Sequence, residues 1–333
     1  MSSLQYKAFY VEEVSPNTFV RSIIELPINS LPDNEVLIKV HYSSLNYKDA
    51  LSAKGHKGVS KFYPHTPGID AAGVVVESKV PEFSAGDEVI VTGYDLGMNT
   101  PGGFGQYIKV PASWIVKKPE TLTLKESMIL GTAGFTAGIC ITELQNHNVM
   151  PGMGKVLVTG ATGGVGSLAV SILAKIGYEV VASTSKLHYE EFLLKMGATE
   201  VVRKNMILDL TARPLLSGQW LGVVENVGGG TLSSVIRSTQ QHGCVCVVGN
   251  VGGDVLTTSV YPFILRGVTL CGIDSASRPM NLRTNIWDKL ATDWKVELPQ
   301  SFVNVVKLDS LSREIDKILD GKQTGRVVLE HDH

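Results

Sequence analysis

One stretch of about 30 residues, positions 155–186, constrains the fold of this chain more than any other. It begins with a short apolar run, Val156–Val158, which enters a glycine-rich turn at Gly160–Gly166. An amphipathic segment, Val165–Ile176, and a second β-branched run, Glu179–Ala182, follow. Strand, turn, helix and strand in this order form the unit that holds a nucleotide pyrophosphate at a helix N-terminus. The stretch therefore predicts a dinucleotide-binding site.

Small residues in the turn leave room for the phosphates. Gly163 lets the backbone approach a phosphate, and Gly166 lets the helix pack closely against the strand. Ala161 stands where the usual pattern has its first glycine, and it is small enough to keep the space open. The residues predicted to contact the phosphates are Thr162, Gly163, Gly164 and Val165.

The end of the second strand indicates which nucleotide binds. An NAD site carries Asp or Glu about 20 residues after the turn, where the carboxylate accepts from the ribose 2′-hydroxyl. Here the strand ends in Thr184, Ser185 and Lys186, with no acid. Two hydroxyls and an ammonium group can bind a 2′-phosphate by charge-assisted hydrogen bonds, which a carboxylate would repel. We therefore predict that the cofactor is NADPH and that these three residues contact it.

The same turn also matches the TGxxxGxG pattern of short-chain dehydrogenases. Enzymes of that class need a catalytic Tyr-x-x-x-Lys pair downstream of the turn. Each tyrosine after the turn, at positions 178, 189 and 261, lacks a lysine four residues later. The turn also lies in the middle of the chain rather than near its beginning, so we set this alternative aside.

Length and charge exclude several other classes. The chain has 333 residues, enough for two domains, and a formal net charge of −2, which gives no basic excess for nucleic acid.

The first 14 residues contain no basic region followed by an apolar core, so we expect no signal peptide and a cytoplasmic location. The longest uncharged run, Ser127–Thr142, has 16 residues and three glycines. That is shorter than the roughly 20 residues of a membrane span, so it predicts a buried helix and no membrane association.

The four cysteines are separated along the sequence and lie in apolar segments. None forms a C-x-x-C pair, which predicts buried free thiols in a reducing compartment. The same spacing argues against a structural zinc site, which would need the thiols clustered. The cysteines are Cys140, Cys244, Cys246 and Cys271.

The pattern of the chain changes near residue 125. Before it, short β-branched runs are separated by turn residues, and after it helices alternate with strands, which predicts a doubly wound domain. The predicted class is α/β: a mostly β domain at 1–124, an inserted Rossmann domain at 125–262, and a segment at 263–333 that completes the sheet edge and the first domain.

Four sequence blocks identify a family. SSLNYKDAL (43–51), PGIDAAGVV (67–75), GTAGFTAG (131–138) and YPFILRGVTLCGIDS (261–275) resemble the zinc-free branch of the medium-chain dehydrogenase/reductase superfamily that holds quinone oxidoreductases and acrylyl-CoA reductases. The resemblance covers nearly the whole chain. It implies a GroES-like fold for the first domain, NADPH as cofactor, and reduction of an activated C=C bond.

The resemblance also indicates whether a catalytic zinc ion is expected. Alcohol-dehydrogenase relatives bind a catalytic zinc through a Cys in the first block and a His in the second. Here the first block has no Cys, and the second reads Ile69-Asp70 in place of His-Glu. Because zinc prefers thiolate or imidazole ligands, we expect no catalytic metal.

Further site residues follow from this resemblance and from the sheet pattern. Tyr47 is implied to line the nicotinamide side, contact the cofactor and serve as the candidate proton donor. Asn250 follows a strand at the edge where a doubly wound sheet binds nicotinamide. The resemblance implies a basic residue at the 2′-phosphate, for which Lys204 is the candidate and Arg203 the alternative, and it adds Ile264 and Ser275 as cofactor contacts. Arg326, just before the last strand, is expected to reach the cofactor or a CoA phosphate.

The sequence thus predicts an NADPH-dependent reductase of a short α,β-unsaturated acyl-CoA such as acryloyl-CoA. One alternative is reduction of a quinone or enone, and another is an NADPH-binding protein with little turnover. The run Val268–Ile273 is apolar on both faces and would be the last strand of its sheet. An exposed edge of this kind predicts a homodimer through that strand, as does the resemblance.

Overall fold

A computed structural model describes residues 4–332 of the chain. Its contacts divide the chain into two compact units. Unit 1 holds residues 4–132, 276–291 and 300–332, and unit 2 holds 133–275 and 292–299. The predicted boundaries at 124/125 and 262/263 differ from these divisions, which fall after Thr132 and after Ser275.

The regular elements follow one another along the chain. The strands are β1 (Gln5–Ser15), β2 (Thr18–Pro27), β3 (Val36–Leu45), β4 (Asp70–Ser78), β5 (Glu88–Thr92), β6 (Tyr107–Val110), β7 (Ile115–Lys117), β8 (Lys155–Thr159), β9 (Glu179–Thr184), β10 (Glu200–Arg203), β11 (Trp220–Glu225), β12 (Thr239–Val247), β13 (Thr269–Gly272), β14 (Val303–Val306) and β15 (Arg326–Glu330). The α-helices are α1 (Tyr47–Ala53), α2 (Leu124–Asn146), α3 (Gly164–Lys175), α4 (Glu190–Lys195), α5 (Lys204–Ile207), α6 (Gly229–Arg237), α7 (Tyr261–Arg266), α8 (Met280–Ala291) and α9 (Leu308–Leu319). Short 3₁₀ helices lie at Ile28–Ser30, Ala112–Trp114, Leu187–Tyr189 and Gln300–Phe302.

Unit 1 is built on a mixed, mainly antiparallel sheet with the order β14-β15-β3-β4-β5-β7, and β6 pairs with β3. The side chains of Val36, Ile38 and Val40 alternate along β3 and enter one core cluster, as the period of two in a strand requires. The hairpin of β1 and β2 forms a separate two-stranded sheet. The last strand of the chain, β15, pairs antiparallel with β3, so a C-terminal segment completes the first domain, as predicted.

Unit 2 carries a parallel sheet with the order β10-β9-β8-β11-β12-β13. Because β8 is the first strand of this sheet in the chain, the order is that of a doubly wound Rossmann domain. The strand order reverses between β8 and β11, and ligands of such sheets bind outside the carboxyl ends of the strands at this point. The predicted fold class is confirmed.

The core of unit 2 corrects two local predictions. Residues 166–173 of α3 are buried without interruption, so this helix is not amphipathic. The pattern predicts a helix at Leu232–Thr239, whereas α6 ends at Arg237 and Thr239 begins β12. By contrast, β5 and β10 begin and end at the predicted residues.

The apolar run at 127–142 lies in α2, as predicted. This helix is long and apolar enough to cross a membrane by length and composition, but 78% of its most apolar window is buried inside the protein. Gly131 interrupts it with φ 49° and ψ −153°. A broken helix that is mostly buried is typical of a protein core.

Candidate functional site

The phosphate turn, Gly160–Gly166, joins the carboxyl end of β8 to the start of α3. Gly160 has a φ of +59°, the left-handed region that glycine favours. A Cβ on Gly166 would lie 2.3 Å from the Gly160 carbonyl oxygen, so only glycine fits where the helix crosses the strand end. The N–H groups in the first turn of α3 have no acceptor within the helix. They form a concave donor surface suited to a phosphate.

The end of β9 lies against this turn. The Ala161 N–H donates to the Ser183 carbonyl at 3.0 Å, and the Thr162 and Thr184 hydroxyl oxygens are 3.2 Å apart. The Lys186 N–H donates to the Thr184 hydroxyl oxygen at 3.0 Å. The structure thus brings together the two groups of residues predicted to hold the pyrophosphate and the 2′-phosphate.

Exposure and charge differ along this strand end. Thr184 is buried, Ser185 is exposed and Lys186 is half-buried. Burial lowers the pKa of the Lys186 ammonium group. A bound anion would offset the cost of partly burying this charge.

A buried carboxylate that the sequence reading missed organises the switch point. Glu225, at the end of β11, is fully buried and accepts from the Thr159 hydroxyl at 3.0 Å. It also accepts from the N–H groups of Val227 and Gly228, at 3.0 Å and 2.8 Å. Burial raises the pKa of this carboxyl, and its N–H donors and the Lys204 charge act against that shift. The signal in the sequence is a lone acid that ends an apolar strand just before a glycine run.

The other predicted cofactor contacts of unit 2 follow three different strands of the parallel sheet, each after its carboxyl end. Lys204 is exposed at the first position of α5, directly after β10. Asn250 lies in the loop after β12, and its Cα would be 2.9 Å from a Cβ on Gly228, so the loops that follow β11 and β12 pack together. Ser275 follows β13 at the same edge of the sheet, since the Ile273 N–H donates to the Val247 carbonyl.

Ile264 is a different case. It lies on α7, and its side chain is 67% exposed. The Val268 N–H donates to the Pro262 carbonyl, so α7 lies beside the amino end of β13 rather than its carboxyl end. The sequence reading of Ile264 as a cofactor contact remains a prediction.

In unit 1, Tyr47 is the first residue of α1, and its side chain is 39% exposed. Helix α1 begins there because the Asn46 N–H donates to the Asp49 carboxylate at 2.8 Å, a capping contact that fixes the chain entering the helix. The same carboxylate accepts from the Ile69 N–H at 2.8 Å. Asp49 thereby ties the Tyr47 helix to the start of β4.

The sequence analysis did not connect a group of polar side chains around Asp70, most of them buried and the others half-buried. The Asp70 carboxylate accepts from the Ser44 hydroxyl at 2.5 Å, from the Asn46 amide at 2.8 Å and from the Thr132 N–H at 2.9 Å. Arg326 donates to the Ile129 carbonyl at 2.8 Å and to the Asn46 side-chain oxygen at 3.3 Å. We call this set the buried polar cluster; it comprises Ser44, Asn46, Asp49, Asp70, Thr132 and Arg326.

Burial controls the charges of this cluster. It raises the pKa of Asp49 to about 7, and the neighbouring Asp70 carboxylate adds to the shift. It also lowers the pKa of the Arg326 guanidinium, against the effect of the two carboxylates. Arg326 is only 2% exposed. The expectation that it reaches a cofactor or CoA phosphate is corrected, because the structure places it inside unit 1.

The residues at the catalytic zinc position of alcohol-dehydrogenase relatives do not fit a zinc ion. The Asn46 amide donates to the Asp70 carboxylate, and the Ile69 side chain is apolar and 4% exposed. These positions offer neither the thiolate nor the imidazole that a zinc site of this kind uses.

The cysteines of unit 2 require a correction. They are separated in the sequence, yet the Cys244 and Cys271 sulfurs are 3.6 Å apart. The Cys246 sulfur lies 3.5 Å from the Cys140 carbonyl oxygen. Parallel pairing of β12 with β13, and the packing of α2 on them, bring these residues together. The spacing argument against a four-thiolate zinc site is not contradicted, but it did not reveal that two of the thiols meet. All four thiols are free, as predicted, and Cys271 is half-buried rather than buried.

Comparison with known proteins agrees with this architecture. Residues 32–120 match the alcohol dehydrogenase GroES-like domain, and residues 164–292 match the zinc-binding dehydrogenase domain. The chain is 43% identical to "Putative quinone oxidoreductase YhfP" of Bacillus subtilis, over 99% of this chain and 100% of that protein. It is 40% identical to the acrylyl-CoA reductase AcuI of Ruegeria pomeroyi, over 93% of this chain and 94% of that protein.

Solved structures give the same result. The Bacillus subtilis YhfP structure with NAD bound has a TM-score of 0.95 at 42% identity and covers 98% of this chain and 100% of its own. The E. coli YhdH structure with NADPH bound has a TM-score of 0.92 at 38% identity and covers 97% of this chain and 99% of its own. The chain belongs to the medium-chain dehydrogenase/reductase superfamily, in the branch of quinone oxidoreductases and acrylyl-CoA reductases.

Proposed function

We propose that this protein is an NADPH-dependent reductase of activated C=C bonds, with a short α,β-unsaturated acyl-CoA such as acryloyl-CoA as its substrate. The observation that carries the proposal is the 40% identity to an acrylyl-CoA reductase, which extends over 93% of this chain. The residues at the zinc position support it, because a conjugated thioester carbonyl can accept the developing negative charge without a metal.

The cofactor assignment rests on the end of β9. Two related structures hold NADP or NADPH and one holds NAD, and the end of β9 agrees with the first two. Thr184, Ser185 and Lys186 provide two hydroxyls and a cation with no acid, which favours a 2′-phosphate. Lys204, after the neighbouring strand, supplies a second cation at the same edge.

When bound, NADPH supplies the hydride that adds to the β-carbon of the substrate. The phosphate turn and the end of β9 hold the cofactor, and we assign Tyr47 the contact with its nicotinamide half. The Tyr47 phenol, or water beside it, delivers the proton to the α-carbon of the enolate. Asn250, Ile264 and Ser275 complete the proposed set of cofactor contacts.

A substrate screen tests the reaction. The purified protein is assayed for NADPH oxidation with acryloyl-CoA, a benzoquinone and a simple enone, each over a range of concentrations. We expect the highest kcat/KM with acryloyl-CoA. A higher value with the quinone would support the alternative that the YhfP name favours, and no turnover with any acceptor would indicate an NADPH-binding protein.

Tyr47→Phe separates proton donation from binding. If Tyr47 is the donor, kcat falls by about 10²–10⁴-fold while NADPH affinity changes little. Tyr10→Phe is the matched control, since Tyr10 lies on the β1 hairpin strand of the same unit. An unchanged kcat in Tyr47→Phe would assign the proton to water.

We also propose a homodimer through Val268–Ile273. β13 is an edge strand of its sheet among the described residues. Beside it, α7 and the residue before it expose the apolar side chains of Val260, Tyr261 and Leu265 by 46–64%. Pairing this edge across a two-fold axis would satisfy its backbone groups and cover these side chains.

Sedimentation tests the dimer. Leu270→Lys, on β13, is expected to yield monomers, whereas Val201→Lys on the opposite edge strand β10 leaves the dimer intact. A native monomer at micromolar concentration, or a dimer unaffected by Leu270→Lys, would contradict the proposal. We also propose a cytoplasmic location, where the reducing compartment would keep the four cysteine thiols free.

A further inference from the structure

Three potential metal ligands meet beside the outer strand of the parallel sheet, outside the site described above. Cys244 lies on β12 and Cys271 on β13, and the C-terminal end of α2 brings His147 above them. The two sulfurs are 3.6 Å apart, and the Cys271 sulfur is 3.9 Å from His147 Nδ1. One ligand atom from each residue lies within 4.8 Å of the others. We call these three residues the thiol–imidazole triad.

The spacing of the triad is close to that of a zinc centre. Tetrahedral geometry with Zn–S of about 2.3 Å and Zn–N of about 2.0–2.1 Å puts two sulfurs about 3.8 Å apart and a sulfur and a nitrogen about 3.6 Å apart. The separations of 3.6 Å and 3.9 Å differ from these by a few tenths of an ångström. The remaining pair, Cys244 and His147, lies within 4.8 Å, so binding requires these two side chains to approach each other by up to about 1 Å.

We propose that Cys244, Cys271 and His147 form a binding site for Zn²⁺, with two thiolates and one imidazole as ligands and an open fourth position for water. Soft thiolate and imidazole ligands suit Zn²⁺ and discriminate against Mg²⁺ and Ca²⁺. His147 and Cys271 are half-buried, whereas Cys244 is buried. A cation can therefore enter from the solvent side and end bound against the sheet.

Proton balance gives the site a measurable signature. A cysteine thiol carries its proton at neutral pH and gives it up when it becomes a zinc ligand, so the two thiols contribute one proton each. The His147 Nδ1–H donates to the Glu143 carbonyl at 2.8 Å, so the imidazole must turn away from this carbonyl before Nδ1 can bind the ion. Ligation through Nδ1 moves that proton to Nε2, so about two protons leave per Zn²⁺ bound.

The triad is separate from the cofactor edge of the sheet. Cys244 is in register with Gly222 and Thr269, and Gly222 pairs in turn with Val156. Val156 is the second residue of β8, whereas the phosphate turn begins after its last residue, Thr159. The bound ion would join α2 to β12 and β13 and stabilise the outer part of the sheet, without entering the reaction.

Cobalt titration tests the site directly. The reduced, full-length protein is dialysed against a strong chelator, the chelator is removed, and Co²⁺ is added as a spectroscopic substitute for Zn²⁺. We expect one Co²⁺ per chain with a thiolate-to-cobalt charge-transfer band in the near ultraviolet, which stoichiometric Zn²⁺ abolishes. Calorimetry with Zn²⁺ in buffers of different ionisation enthalpy should report about two protons released.

Variants locate the ligands. Cys271→Ala, at a half-exposed position, and His147→Gln are expected to lose the charge-transfer band, and Zn²⁺ should no longer raise their Tm. Cys140→Ala is the matched control, because this thiol lies on α2, which His147 directly follows, but outside the triad, and it keeps the band. Chelation should leave NADPH oxidation unchanged, since the ion is remote from the reacting groups.

Three results would overturn the proposal. They are the absence of the band at stoichiometric Co²⁺, a band that survives in Cys271→Ala, and a purified protein in which Cys244 and Cys271 are joined by a disulfide. The last outcome would make the two residues a redox pair, and counting free thiols in the denatured protein detects it.

Discussion

The phosphate turn of unit 2 and the buried polar cluster of unit 1 differ in the groups that stabilise a charge: main-chain N–H groups in the turn, and side chains in the cluster. The turn offers main-chain N–H groups from a few consecutive residues, and its glycines provide the space. The cluster uses side chains from distant parts of the sequence; Asn46 and Arg326, which share a hydrogen bond, are 280 residues apart. The N–H groups of the turn are placed to bind a ligand. In the cluster, the buried polar atoms already have hydrogen-bond partners within the protein, apart from one guanidinium nitrogen of Arg326.

This difference indicates what each region contributes. A substitution in the turn or at the end of β9 is expected to change ligand affinity with modest effects on folding. A substitution in the cluster is expected to change stability, because it leaves charged groups buried without partners. The four predictions below test this division, from the largest expected effect to the smallest.

Removal of the buried guanidinium should have the largest effect. Arg326→Met leaves the Asp70 and Asp49 carboxyls buried without their cation, which is expected to lower the free energy of unfolding by about 3–5 kcal/mol. The control is Lys307→Met, because Lys307 also faces two carboxylates, at 3.0 Å and 2.7 Å, but on the surface. Its cost should be about 1 kcal/mol or less. Equal losses in urea unfolding would show that the cluster is no more important than a surface ion network.

Reversal of the charge at the end of β9 should act on binding instead. Lys186→Glu is expected to weaken NADPH by about 1.5–3 kcal/mol or more, since one charge-assisted bond is lost and a repulsion is added. NADH affinity should change little. Calorimetry with both nucleotides measures the effect, and the control is Lys195→Glu, the same charge change on an exposed residue of α4.

Equal affinity of the native protein for NADPH and NADH would contradict the cofactor assignment. A large fall in the unfolding free energy of Lys186→Glu would contradict the division between the two regions.

A methyl group inserted into the cluster should have an intermediate effect. In Gly131→Ala the new Cβ would lie 2.5 Å from the Ser44 hydroxyl oxygen and 2.6 Å from an Asp70 carboxylate oxygen. Gly86→Ala is the control, since Gly86 also has a positive φ, +97°, but nothing lies within 4 Å of its Cβ position. The positive φ lowers the free energy of unfolding in both variants, and the steric overlap in Gly131→Ala lowers it by about 1–3 kcal/mol more. Similar melting temperatures for the two variants would contradict a tightly packed cluster.

The last prediction is a pH dependence from Asp49, whose effect is the smallest of the four when it is expressed per pH unit. Its folded pKa of about 7 lies above the unfolded value near 3.8, so the folded chain binds more protons between these two values. Stability therefore falls as pH rises through this window, by at most about 1.4 kcal/mol per pH unit, and the contribution is level above it. Urea unfolding at about pH 5, 6 and 8 should show this slope in the native protein and a flatter one in Asp49→Asn. Parallel slopes would contradict the shift.

The nucleotide domain was predictable because its signals are local. The turn, its two flanking strands and the missing acid all lie within positions 155–186, and period and glycine placement specify them. The structure adds Glu225, whose carboxylate reaches Thr159 from 66 residues away. Its role depends on β8 and β11 being neighbours in the sheet, which their separation in the chain does not reveal.

The cysteines show most clearly what could not be predicted from the sequence. Their spacing predicted free thiols and did not indicate that any two would meet. The parallel register of β12 with β13 places Cys246 opposite Cys271 and brings the Cys271 sulfur close to Cys244. A shift of register by one residue would turn the side chains of β13 to the other face of the sheet. The triad is therefore a consequence of pairing, which no local pattern encodes.

By itself, the sequence determined the α/β class, the place of the nucleotide turn and the family, because these depend on residues close together in the chain. The tertiary structure alone decided that Arg326 is buried and donates to the Asn46 side chain, that Asp49 ties α1 to β4, and that two cysteines and a histidine meet beside β13. Burial and hydrogen bonding between distant segments set these properties, and both arise only once the sheets have formed.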